Sequence, residues 1–147
     1  MDDDRRKICQ VTGLAMVGAL LPSTSGGCGG GTSAVGGVVN AGPTSQVVLG
    51  DVLELRVPDH NIDICRDEKG LYALCANCTH ARCVVTFQSR QDGFLCGCHN
   101  STYDYNGEHN TPPAPAPLPH YKLTVDGSGN MLVDTGQIVA ATDRTPG

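Results

Sequence analysis

The decisive stretch runs from residue 78 to residue 104: Cys78-Thr79-His80-Ala81-Arg82-Cys83, then Val84 to Leu95, then Cys96-Gly97-Cys98-His99-Asn100-Ser101-Thr102-Tyr103-Asp104. Each flank carries two cysteines and one histidine, and fifteen residues separate His80 from Cys96. Thiolates and imidazoles supplied by two loops can converge on one site, and that donor set suits zinc or an iron–sulfur cluster. Spacing alone leaves both metals open. A zinc set could also be drawn from Cys75, Cys78, Cys96 and Cys98, because Cys75-Ala76-Asn77-Cys78 is a C-x-x-C pair.

Around this stretch the chain reads as all-β. Short runs rich in Val, Leu and Ile recur between turn residues: Gln46–Leu49, Val52–Val57, Asn61–Arg66, Leu71–Cys75, Val84–Phe87, Phe94–Cys96, Tyr121–Val125, Met131–Val133 and Gln137–Val139. Such spacing predicts a sandwich or small barrel. Asp67-Glu68-Lys69-Gly70 and Asp126-Gly127-Ser128-Gly129-Asn130 read as hairpin loops with glycine available for positive φ, so pairing is antiparallel. No helical apolar period follows residue 27, and there is no internal repeat.

Composition bounds the rest. The 147 residues allow one compact domain with extensions and exclude a multidomain enzyme. Only two Phe, four Tyr and no Trp leave an aliphatic core, and a net charge of −5 gives no support to a nucleic-acid partner. Residues 1–27 have the tripartite layout of an export signal: charged, apolar, then small. As a helix, Val11 to Leu21 would span only ~16 Å of the ~30 Å of bilayer hydrocarbon, too short for an anchor. Asp4-Arg5-Arg6-Lys7-Ile8 resembles the twin-arginine signal, and Ser25-Gly26-Gly27-Cys28 resembles a lipoprotein cleavage box that would leave a lipidated Cys28 at the mature N-terminus. The chain is therefore expected in the periplasm or on the outer face of a bacterial cytoplasmic membrane. Residues 28–45, rich in Gly and Ser, read as a flexible tether, 46–140 as the folded domain and 141–147 as a tail.

The paired motifs, Cys-x-His and Cys-x-x-His with an extra cysteine in each loop, resemble those of the Rieske iron–sulfur proteins. The resemblance covers about 70 residues and implies a Rieske-type all-β fold with a cluster-binding subdomain near residues 76–119. It also implies one [2Fe-2S] cluster, with Cys78 and Cys96 on one iron and His80 and His99 on the other. Neutral imidazoles in place of two thiolates raise the potential to a range of about −150 to +300 mV. Cys83 and Cys98 match the disulfide of the quinol-oxidising branch, a bond that persists in an exported protein. Ser101 and Tyr103 match that branch's hydroxyl donors to a bridging sulfide and to the Cys78 sulfur. The proline-rich segment 112–119 matches a loop covering the cluster and is stiff in the extended form.

The implied function is one-electron transfer as the iron–sulfur subunit of a cytochrome bc-type complex. Its partners would be quinol, a cytochrome b and a c-type cytochrome or other redox protein, with His80 and His99 at the reacting face. A free or lipid-anchored periplasmic electron carrier is the alternative. The chain departs from that branch where Leu-Gly is usual, carrying Ala81-Arg82, and where Gly is usual, carrying Asn100. His60, His109 and His120 lack ligand spacing and are expected as solvated loop residues. Cys65 and Cys75 are expected as free thiols on opposite faces of their hairpin.

Overall fold

Leu71-Tyr72-Ala73-Leu74-Cys75 offers no charged position, a pattern that a strand supports only when both of its faces are covered. In a computed structural model, which describes residues 37–147, this run is buried throughout. In chain order the strands are β1 (Val38–Pro43), β2 (Val52–Val57), β3 (His60–Asp67), β4 (Gly70–Cys75), β5 (Val85–Gln88), β6 (Gly93–Cys96), β7 (Thr102–Asp104), β8 (His109–Thr111), β9 (His120–Val125) and β10 (Asn130–Val139). A six-stranded sheet has the order β1-β10-β9-β4-β3-β2, a four-stranded sheet the order β5-β6-β7-β8, and all named pairings are antiparallel. No α-helix occurs among the described residues. The all-β, antiparallel expectation is met.

Strands β3 and β4 divide two apolar cores by strict alternation. Ile62, Ile64, Leu71 and Ala73 face a core completed by Leu123, Met131 and Val133. Cys65, Tyr72 and Leu74 face the other, which holds Cys78, Val85, Phe94, Cys96, Tyr103, Ala114 and Leu118. The small sheet is therefore seated on the back of the large one, and the candidate ligand cysteines lie in the shared layer.

Several local expectations differ from what folds. Ordered structure begins earlier than residue 46: β1 occupies Val38–Pro43 in the expected tether, pairing with β10 from Val38↔Asp134 onward. Gln46–Leu49 is no strand but the end of a short 3-10 turn and the start of a second turn, while Met131–Val133 and Gln137–Val139 belong to one strand whose register shifts between Asp134 and Ile138. The short β7 and β8 carry little apolar signal and were not expected. The segment 141–147 returns to the sheet through a bridge between Leu71 and Thr145. Arg144 bonds Asp67 at 2.7 Å and Asn106 at 2.6 Å, and its guanidinium lies 3.9 Å from the Tyr72 ring centre. Gly70 makes this return possible, since a Cβ there would meet the Thr145 carbonyl at 2.6 Å. The export signal, the lipoprotein box and Cys28 lie outside the described residues.

Two histidines expected in solvent are structural. His60 on β3 lies 3.2 Å from the Thr135 hydroxyl and meets Tyr121 edge-on. His120 is buried on β9, donates from Nε2 to the Asn106 carbonyl at 2.9 Å and stacks on Tyr72. His109 is exposed on β8. Cys65 is a buried free thiol, but Cys75 is held in a disulfide, so two free thiols are not found.

Asp63 is fully buried on β3, where one carboxylate oxygen accepts from Arg56 at 2.7 Å and the other has no partner among the described residues. Burial pushes its carboxyl up to about 6, against the opposing pull of Arg56. The folded state thus holds this proton more tightly than the unfolded chain, so Asp63 favours folding most below pH ~4 and loses that contribution as pH rises through 6. Burial pushes His120 down, which acts in the opposite sense at low pH, so the contribution is read as a difference. Asp63→Asn should be more stable relative to the parent at pH 7.5 than at pH 4.5, by about 2 kcal/mol across the window. Parallel melting profiles of the two proteins over that range would show that the burial carries no such penalty.

Candidate metal centre

The two motif loops have one backbone fold. In the first, the Cys78 N–H donates to the Cys83 carbonyl at 2.8 Å and the Arg82 N–H returns to the Cys78 carbonyl at 2.9 Å. In the second, the Cys96 N–H donates to the Ser101 carbonyl at 2.8 Å and the Asn100 N–H returns to the Cys96 carbonyl at 2.9 Å. Closing each loop requires a left-handed residue at its fifth position, and Arg82 (φ 60°) and Asn100 (φ 61°) adopt that conformation. Each loop therefore turns sharply back on its first cysteine, projecting the intervening side chains outward.

This fold sorts the donors by depth. Cys78 and Cys96 are buried, whereas His80 and His99 are exposed and bring their rings together edge-to-face with centroids 4.7 Å apart. Cys83 and Cys98 are joined in a disulfide that ties the loops to each other. The sulfurs of Cys83, Cys96 and Cys98 all lie within 4.8 Å of one another, but two of them are consumed by that bond, leaving Cys96 as the free thiol of the group. The zinc set of Cys75, Cys78, Cys96 and Cys98 is not available for the same reason: Cys75 and Cys98 are both in disulfides. What remains at the base is two free thiols, beneath two free imidazoles.

Burial raises the Cys78 thiol, but hydrogen bonds from Tyr103, from the His80 N–H, from Cys96 and from the Ala81 N–H together outweigh it, and the net shift favours the thiolate. The Tyr103 hydroxyl is 3.2 Å from the Cys78 sulfur and accepts from the Thr79 N–H at 3.1 Å. Having its lone pair engaged by Thr79, this hydroxyl directs its own proton at the sulfur. Tyr103 reaches the site because β7 lies close against β6 at Gly93, where any Cβ would strike the Tyr103 carbonyl. Ser101 is fully buried, and its Oγ accepts from the Ala114 N–H at 3.0 Å, leaving the hydroxyl proton free to donate. Thr79 Oγ1 donates to the Ala116 carbonyl at 2.7 Å, and Ala114 and Leu118 are buried in the shared core. The segment 112–119 is thereby fastened over the loops. Thr79 and the backbone of Ala114 and Ala116 were missed in the sequence: a threonine between two ligand-type residues was a usable signal, but backbone groups leave none.

A cluster needs buried sulfur, inward-directed N–H and O–H donors and an outer pair of ring nitrogens, and the residues present supply each of these. Residues 37–122 match the Rieske [2Fe-2S] domain family. The chain belongs to that family. As a Rieske protein it is 33% identical over 92% of its length to the cytochrome b6-f complex iron-sulfur subunit of Prochlorococcus marinus subsp. pastoris, covering 84% of that relative. It is 37% identical over 84% of its length to the same-named subunit of Synechococcus sp. strain WH7803, covering 76% of it. The structure of the cyanobacterial plasma membrane Rieske protein PetC3 from Synechocystis PCC 6803 superposes with a TM-score of 0.56 at 27% identity, over 65% of this chain and 97% of that one. The cofactor of this Rieske chain is one [2Fe-2S] cluster.

Proposed function

We propose that this protein transfers single electrons as the iron–sulfur subunit of a quinol-oxidising, cytochrome bc-type complex, outside the cytoplasmic membrane. The observation that carries this reading is the sorting by depth: Cys78 and Cys96 buried, His80 and His99 exposed and adjoining. Cys78 and Cys96 would hold one iron and His80 and His99 the other, so the imidazoles form the face that a donor or acceptor meets. When bound, the cluster supplies storage for one electron. His80 and His99 each keep one ring nitrogen off the metal, where a quinol hydroxyl can be hydrogen-bonded and its proton held. His99 in its deprotonated form accepts that hydrogen bond. The cytochrome b6-f subunits among its relatives support a cytochrome b and a c-type cytochrome as partners. Among the described residues no helix is long and apolar enough to cross a membrane. In this reading the tether, or lipid at Cys28, attaches the head to the membrane. A free or lipid-anchored periplasmic carrier is the second reading, favoured by Ala81-Arg82 beside the histidines, where a quinol pocket would be better met by an apolar side chain.

The midpoint potential as a function of pH tests the quinol reading. If the imidazoles take up a proton with the electron, the midpoint falls by about 59 mV per pH unit on the alkaline side. A flat line from mildly acidic to strongly alkaline pH would remove proton-coupled quinol oxidation and leave the simple carrier. Co-purification with a cytochrome b separates the two readings independently.

The hydroxyls tune the same potential. Hydrogen bonds to charged groups are worth ~1.5–3 kcal/mol, and about half of that should differ between redox states. Tyr103→Phe and Ser101→Ala should each lower the midpoint by roughly 30–65 mV with the cluster still assembled. Protein-film voltammetry showing an unchanged midpoint in both variants would mean that neither proton faces a sulfur.

A further inference from the structure

We propose that the face carrying His80 and His99 is a cationic docking surface, centred on Arg82, which selects an acidic electron-transfer protein as partner. The proposal rests on the electron-transfer reading above and names the partner's chemistry. Arg82 is exposed and stands two residues from His80. It occupies the left-handed position of its loop, φ 60°, which glycine adopts freely and which asparagine, as at Asn100, tolerates well. An arginine contributes nothing to that turn that a glycine would not, so its presence is accounted for by its charge. Among the described residues that charge is not neutralised: the ion pairs use Arg56, Lys122 and Arg144.

The surroundings reinforce it. Neither motif loop, residues 78–83 and 96–101, nor the covering segment 112–119 contains an Asp or Glu. Negative charge is carried elsewhere, as by exposed Glu54 on β2, Glu68 in the β3–β4 turn and Glu108 before β8, in a chain whose net charge is −5. The head is thus polarised, with a positive tip on an acidic body. An acidic partner is steered to the histidines by the tip and disfavoured by the acidic body, which is orientation as well as attraction.

Small redox probes report this field directly. The cluster-loaded full chain is reduced and mixed with anionic hexacyanoferrate(III) or cationic tris(phenanthroline)cobalt(III). One electron leaves the cluster and reduces one metal complex, with no bond or proton exchanged. At low ionic strength Arg82→Glu should slow the anionic oxidant by roughly three- to tenfold and accelerate the cationic one, both effects vanishing at high salt. Arg90→Glu, a charge reversal at an exposed residue in the β5–β6 turn, should change neither rate. A second readout is the mass adsorbed on a carboxylate-terminated monolayer at low salt, which should be lost in Arg82→Glu and kept in Arg90→Glu. Equal behaviour of the two variants, or no change in either, with the visible spectrum intact, would overturn the docking surface while leaving the cluster assignment standing. A parent protein without that spectrum would sink the electron-transfer reading itself.

Discussion

Cys78→Ser and His99→Ala are each expected to yield colourless protein without iron or acid-labile sulfide, where the parent carries a [2Fe-2S] cluster. Each loop offers only one sulfur and one nitrogen, because its third donor-type residue is spent in the Cys83–Cys98 disulfide. No spare donor can replace a lost one. The framework should survive, since the core of Ile62, Ile64, Leu71, Met131 and Val133 lies on the far side of β3 and β4 and shares no side chain with the loops. Iron and sulfide analysis beside far-ultraviolet circular dichroism checks both halves of this prediction. Stoichiometric zinc without iron in parent protein made under iron-sufficient conditions would overturn it.

The second large effect concerns the disulfide. Cys83→Ser should leave the β framework folded but make the cluster labile, with loss of colour within the time of purification or mild warming. The bond joins residues fifteen apart, and closing a loop of that size removes about 3 kcal/mol of chain entropy from the unbound loops. Apart from this bond, the loops are pinned near their tips chiefly by Thr79 to Ala116 and Ser101 to Ala114. Bleaching rates measured at one temperature for parent and variant test the point, and equal rates would show that the disulfide does not brace the centre.

Donor types and their spacing are covalent facts, and they were legible at once. Cys78, His80, Cys96 and His99, with the extra pair Cys83 and Cys98, pointed to the centre before any contact was known. Apolar runs gave β2, β3, β4 and β9 close to their observed bounds, because a strand covered on one face marks every second position and one covered on both, such as β4, marks every position. Strands with little to bury were invisible: β7 spans three residues, β8 is wholly exposed, and β1 lies in a stretch whose glycines resemble a tether.

His60 and His120 mark the limit from the other side. Nothing in their neighbours distinguishes a solvated histidine from a buried one, and the difference is made by Thr135, Tyr72 and Asn106, all remote in sequence from the histidine they contact. The same holds for the site. By itself the sequence determined which atoms could bind metal and that two loops would supply them, since those properties belong to single residues and their near neighbours. Only the tertiary structure decided that Tyr103, paired with Phe94 across β6 and β7, directs its hydroxyl at the sulfur of Cys78, and that Ala114 leaves the proton of Ser101 free. Hydrogen-bond direction depends on the register of strands and the closure of loops distant along the chain, and many sequences of the same local pattern could close differently.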